Sequence, residues 1–199
     1  MEVILDKQYP VAAGLDASWA ILSHTNELAT CMPGAQITEE IDSSHFKGSV
    51  KVKVGPATAA FAGTIEILML DPASRTLKML GKGADKSGSS ASMELTATLV
   101  AAENGHSILQ GHAEVIVNGK FAQFGGRMMT SVSEMILLQF ADVYSQKAQA
   151  VQVAAAPVGE TAPAAAAPAA PVVAREFNAL GFAWALMKKF FTDLFGRRA

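Results

Sequence analysis

From Phe46 to Val54 apolar and polar residues alternate without a break. Phe46, Gly48, Val50, Val52 and Val54 share one side, and Lys47, Ser49, Lys51 and Lys53 share the other. A period of two predicts a half-buried strand with a solvated basic face. The pattern continues over Ala57 to Met69, with Phe61, Ile65, Ile67 and Met69 opposite Thr58, Thr64 and Glu66. Asp71-Pro72 marks a turn, and Leu77 and Met79 form a short strand before the glycine-rich stretch Gly81 to Gly88. Ala91 to Leu99 sets Met93, Leu95, Ala97 and Leu99 against Glu94, Thr96 and Thr98. Asn104-Gly105 then signals a hairpin into the strand Ile108 to Val117. At the N-terminus, Val3 to Tyr9 reads as a strand. Asp16 is placed to N-cap a short helix carrying Trp19 and Leu22, and a second short helix runs from near Asn26 to before Pro33-Gly34. Beyond Lys120 the period becomes helical. Phe124, Met128, Val132, Met135, Gln139 and Val143 form a stripe that Met129, Ile136 and Phe140 widen, predicting a long helix to about Lys147. The fold class expected is α+β: a curved antiparallel sheet of six to seven strands around a long C-terminal helix, which lets both apolar faces be buried together.

Composition divides the chain into three segments. Residues 1–148 are mixed. Residues 149–174 are almost entirely Ala, Pro and Val, and the prolines forbid a continuous helix, so a disordered linker is expected. Residues 175–199 carry five basic residues against Glu176 and Asp193, together with five of the ten Phe. That segment is +3 within a chain of net charge −2, which leaves −5 on residues 1–174. There is no basic excess of the kind a nucleic-acid binder presents. A single cysteine, Cys31, excludes an internal disulfide and a multi-thiolate zinc site. The opening residues lack the basic n-region of a secretion signal, so a cytoplasmic setting is expected.

Several ordered stretches carry a family resemblance. Thr25 to Gly34 reads TNELATCMPG, and Phe46 to Pro56 and Phe61-Ala-Gly63 follow it. Gly111 to Gly126 then supplies a strand and Asn-Gly-Lys-Phe-Ala-Gln-Phe-Gly before the long helix. The element order resembles the helix-grip fold of the START and Bet v 1-like (SRPBCC) superfamily, and the stretches resemble the G-subunit family of carbon monoxide dehydrogenase. The resemblance covers about residues 1–148. It implies a non-catalytic accessory role beside a molybdenum-containing carbon monoxide dehydrogenase or another molybdenum hydroxylase. It also implies membrane attachment and a quinone held in an apolar cavity, with no covalently bound cofactor.

The candidate ligand-binding residues follow from the inward apolar positions and that resemblance. On the strands they are Val50, Val52, Val54, Phe61, Ile65 and Ile67, with Met79, Leu95, Leu99 and Val115. On the helix they are Phe124, Met128, Met129, Val132 and Met135. Core packing explains the methionines equally well, since Met adapts to irregular space. An enzyme of the same superfamily, of cyclase or hydrolase type, would need polar groups on the inward face, and the readable inward positions are apolar. His24, His45, His106 and His112 lack metal-ligand spacing, and Gly81 to Gly88 lacks the order of a phosphate loop. No catalytic residue and no metal ligand is expected. The Lys47, Lys51, Lys53 row reads as a solvated face or as a surface for an acidic partner or lipid headgroups.

Residues 175–199 are read as an amphipathic helix. Phe177, Leu180, Trp184, Met187, Phe191 and Leu194 make a continuous stripe, broadened by Phe182, Leu186, Phe190 and Phe195. The uncharged run Phe177 to Met187 is too short to span a bilayer, which takes about 20 residues. Lys188 and Lys189 suit anionic headgroups and Trp184 suits the interface. The expected partner is membrane lipid at the inner face of the cell membrane, with a protein groove as the alternative.

Overall fold

The computed structural model describes residues 1–54 and 57–155, within one compact unit, Met1–Pro157. The linker beyond Ala155 and all C-terminal candidates from Phe177 to Phe195 lie outside the described residues, and so does the side chain of Val54. The elements are β1 (Glu2–Val11), α1 (Leu15–Leu22), α2 (Thr25–Cys31), β2 (Ala35–Glu40), β3 (His45–Val54) and β4 (Ala57–Asp71). They continue with β5 (Thr76–Asp85), β6 (Ser90–Ala101), β7 (Ser107–Asn118) and α3 (Gly126–Ala155). All seven strands form one antiparallel sheet in the order β1-β7-β6-β5-β4-β3-β2. Adjacent segments pair through short turns, and only β1 travels, crossing to β7 at the far edge. The sheet carries a long helix on one face, as the alternation pattern predicted.

Glycine lets the sheet bend. Gly63 on β4 lies opposite Gly48 on β3 and Gly83 on β5. A Cβ at Gly63 would stand 1.9 Å from the Lys82 carbonyl oxygen, so this close backbone approach admits no side chain. The hairpin at Asn104-Gly105 has positive φ at both residues (59° and 74°), as its sequence demanded.

The structure corrects several local expectations. β2 is an edge strand that the pattern did not resolve, because its outer half, Thr38-Glu39-Glu40, is polar at every position. β5 runs on through Gly81 to Asp85, since those glycines pair on both sides. A bulge between Ile67 and Met69 inserts Leu68, which turns Met69 away from Ile65 and Ile67 and leaves it 37% exposed. Gly14, not Asp16, occupies the N-cap of α1, and Asp16 pairs instead with Arg75. The long helix does not begin at Lys120. A 3-10 turn covers Gly119–Phe124, and Gly125 with φ of 79° breaks the backbone before Gly126. At its other end α3 continues past Lys147 to Ala155, because the first proline of the Ala-rich stretch comes only at Pro157.

The rotation of α3 also differs from the predicted stripe. Tyr144 and Ala148 are fully buried, and Phe140, Val143 and Val151 pack beside them on Ile21, Leu22, Leu77, Leu99 and Leu109. Tyr144 donates a hydrogen bond from Oη to the Ser18 carbonyl at 2.7 Å. The Ser18 and Ser107 hydroxyls meet at 2.8 Å, and Ser107 donates to the Ala13 carbonyl at 2.9 Å. This buried network locks the C-terminal half of α3 onto α1 and β7. Just after β1, the Ala12 N–H donates to Ser145 Oγ at 3.1 Å.

Candidate functional site

The inward face of the sheet is set by strand parity. Val3, Leu5 and Val11 of β1 are buried, as are Leu77 and Met79 of β5, Ala97 and Leu99 of β6, and Leu109, Ala113 and Val117 of β7. Burial is not continuous across this face. Val50, Val52, Phe61, Ile65, Ile67, Leu95 and Val115 are only partly buried. The buried residues fall into three clusters: one under α1 and the C-terminal half of α3, one around Val3, Leu5 and Ala113, and one around Ala59, Val117 and Phe121. The residues that bridge them are Met93, Leu95, Val115 and Met129, each of which keeps some exposure. A close-packed core would bury the residues at its centre. Here the centre, under the N-terminal half of α3, is the less occluded part. Gly111, inward by parity between Lys7 and Ala97, has nothing within 4 Å of where its Cβ would be.

Against that geometry the predicted lining residues separate into groups. Val50, Val52, Phe61, Ile65, Ile67, Leu95 and Val115 lie on the half-open inward face. Met129 comes down on it from α3, while Val132 is partly buried on the flank of the helix and packs on none of the three clusters. Met79 and Leu99 are buried in the main cluster, where they act as core. Phe124 sits on the 3-10 turn with its ring 6.0 Å from that of Phe121. Met128 and Met135 do not line the interior: they are 38% and 50% exposed. The helix turns them outward because Tyr144 and Ala148 claim the inward meridian. The residues that replace them are Leu137 and Phe140, both packed on buried clusters, and Met93 on β6. Phe140 was within the widened stripe. Its central position follows from the stack on Tyr144, with ring centroids 5.7 Å apart.

One ion pair borders this face. Lys7 Nζ donates to Glu134 Oε1 at 2.8 Å, joining β1 to α3. That hydrogen bond, with the carboxylate's charge, holds the Lys7 ammonium above its ordinary pKa. Partial burial pushes the neighbouring Tyr9 phenol up as well. Cys31 is buried, and burial raises its thiol, which makes it a poor nucleophile. The histidines sit outside the interior. His45 bonds Asp42, His112 Nδ1 meets Asp6 at 2.6 Å, and the His24 ring caps the Ala20 carbonyl at 2.9 Å. Among the described residues no group of three His, Cys, Asp or Glu is placed to hold a metal ion. No described helix is long and apolar enough to cross a membrane.

Solved structures share this architecture at low identity. A conserved protein from Geobacillus kaustophilus matches with a TM-score of 0.65 and 17% identity, covering 75% of this chain and 96% of its own. The Zhui aromatase/cyclase from a Streptomyces species matches at 0.55 and 14%, covering 75% and 94%. A START superfamily protein from Mycobacterium smegmatis matches at 0.53 and 15%, covering 74% and 98%. No curated protein sequence matches significantly. The curved seven-stranded sheet and its long helix make this a helix-grip fold of the START/Bet v 1-like type. Within that type the chain belongs to the CoxG family, the G subunit of carbon monoxide dehydrogenase, which matches residues 8–149. That is a family of accessory subunits.

Proposed function

We propose that this protein is a non-catalytic accessory subunit of a molybdenum-containing carbon monoxide dehydrogenase that holds an apolar small molecule, a quinone, between its sheet and α3. The observation that carries the reading is the half-open apolar centre, where Met93, Leu95, Val115 and Met129 join three buried clusters without being buried themselves. An apolar ligand there would remove that surface from water, at roughly 25 cal/mol per Å². The Lys7–Glu134 pair at the border supplies a polar group for a ligand's oxygen, as ligand sites in apolar clefts commonly do. The Zhui neighbour is named as an aromatase/cyclase. Catalysis of that kind asks for convergent polar groups. The described inward positions from β3 to β7 are apolar or glycine, apart from Asp85 and Ser107 at strand ends, and on β1 the inward polar groups are Lys7, held by Glu134, and Tyr9. Asp85 is taken up by its own turn at Ser87 and by the Ala60 N–H, and Ser107 by the buried network with Ser18 and Ala13. Residues 175–199 attach the domain peripherally to the inner face of the cell membrane.

The deciding experiment is organic extraction of the purified full-length protein followed by mass spectrometry. One apolar molecule per chain, absent after Leu95→Trp fills the centre, is the expected result. A chain that carries nothing and takes up no added quinone overturns the ligand reading.

A further inference from the structure

The opposite, outward face of the sheet is divided by charge. On β3, Lys47, Lys51 and Lys53 point outward, and on β5 Lys78 and Lys82 do, all exposed. On β1, β6 and β7 the same face carries Glu2, Asp6, Glu94 and Glu114. Register places the lysines around a floor of short side chains. Thr58, Ala60, Ala62 and Thr64 of β4 are exposed between them. Lys53 pairs with Thr58 and Lys51 with Ala60, and Thr64 is flanked by Lys47 on one side and Lys82 on the other. β3 and β5 are two strand spacings apart, about 10 Å. The result is a shallow trough whose lysines are staggered: Lys82 faces Lys47 across Thr64, Lys51 and Lys53 continue the β3 bank past the end of β5, and Lys78 lies at the other end beside Met69.

Lys47 is paired with Glu39 at 2.8 Å, but Lys51, Lys53, Lys78 and Lys82 form no ion pair among the described residues. Five lysines therefore outnumber Glu66 and Asp71 on the outward side of β3–β5, in a chain whose net charge is −2. We infer that this trough is a docking surface for an acidic segment of a partner protein, the accessory subunit's enzyme being the partner that the functional reading above supplies. Width agrees, since a helix with its side chains is about 10–12 Å across. The polarity of the whole face also orients the encounter: a partner that is acidic over β3, β4 and β5 and neutral or basic over β6, β7 and β1 is steered into one pose. An anionic bilayer fits less well. The acidic half would be repelled, and the outward positions of β3, β4 and β5 hold no aromatic side chain to insert.

The test uses the full chain and the carbon monoxide dehydrogenase holoenzyme of the same organism, with binding measured by surface plasmon resonance at low and at raised ionic strength. Lys51→Glu, Lys53→Glu and Lys82→Glu are combined. Their side chains are exposed, and an unchanged melting temperature with retained extractable ligand verifies the fold. The expected result is salt-sensitive binding by the natural chain and affinity at least about tenfold weaker in the variant, chiefly through a slower association rate. Binding by the natural chain that the triple reversal leaves unchanged overturns the docking surface alone. Absence of binding by the natural chain overturns the surface together with its assumed partner, whereas the ligand reading is judged separately by extraction. Two further arms identify a different occupant and would equally overturn the inference. One is loss of flotation on phosphatidylglycerol vesicles with enzyme binding intact. The other is loss, in sedimentation velocity, of a dimer that the natural chain forms.

Discussion

Tyr144 does at the residue scale what the helical pattern alone does not specify. Its ring is fully buried and its hydroxyl satisfies the Ser18 carbonyl, so one side chain determines which meridian of α3 faces the sheet. Tyr144→Phe keeps the ring and removes the donor, and is expected to cost about 1–3 kcal/mol in urea unfolding. An unchanged midpoint would show that the hydroxyl is not part of the lock. His112 behaves differently, because it is exposed. Its hydrogen bond to Asp6, and its proximity to Glu114, raise its pKa above the ordinary 6.5. The folded state thus binds this proton more tightly than the unfolded chain does. The resulting stabilisation is fully present below about pH 6.5 and is lost as pH rises through the folded-state value. His45 follows the same rule through Asp42. Proton NMR titration of the His112 ring should show the raised value, and Asp6→Asn should return it most of the way to 6.5.

Elements are shaped by a few backbone decisions. The row Gly48, Gly63, Gly83 runs across three strands, and Gly63 lies closest to a neighbouring backbone. Gly63→Ala must push β4 off β5, and is expected to destabilise by about 3 kcal/mol or more, near the upper end for single substitutions. Chemical denaturation decides this, and a loss below about 1 kcal/mol would mean that the strands give way easily. α3 supports a paired comparison. Met129 packs on two buried clusters, whereas Met135 is 50% exposed. Met135→Gln should therefore shift stability by no more than about 0.5 kcal/mol. Met129→Gln should cost more and also weaken retention of the apolar ligand, which extraction can follow.

The molecule as a whole presents two faces with different tasks. The inward face is apolar and incompletely closed under the N-terminal half of α3. The outward face is divided by charge and also exposes Ile4, Ile116 and Met69. The C-terminal segment 175–199 lies outside the described residues, and its sequence holds five Phe and a net charge of +3. Flotation on anionic liposomes should carry the full-length protein and release a chain ending at residue 174. If both forms stay in the soluble fraction, the segment engages a protein groove instead.

Alternation over β3, β4, β6 and β7 and helical spacing after Lys120 were enough to determine the antiparallel sheet and its long helix, because period and hydrophobicity are local properties of a chain. The ordered stretches from Thr25 to Gly126 were enough to indicate the family. The composition of the inward face was legible for the same reason: parity assigns Val50, Val52, Phe61, Ile65, Leu95 and Val115 to one side whatever the sheet packs against. Tertiary structure decided the rest. A stripe as broad as that of α3 allows several rotations, and only contact with Ser18 and the buried cluster selects the one that buries Tyr144 and exposes Met128 and Met135. The bulge at Leu68 reversed Met69 because one inserted residue shifts the period of everything after it. Alternation along β3 already offered the Lys47, Lys51, Lys53 row as a surface for an acidic partner, but not the lysines of β5 that join it. Lys51 and Lys82 are distant in sequence, and only the pairing of β3 and β5 on either side of β4 brings their charges to one surface.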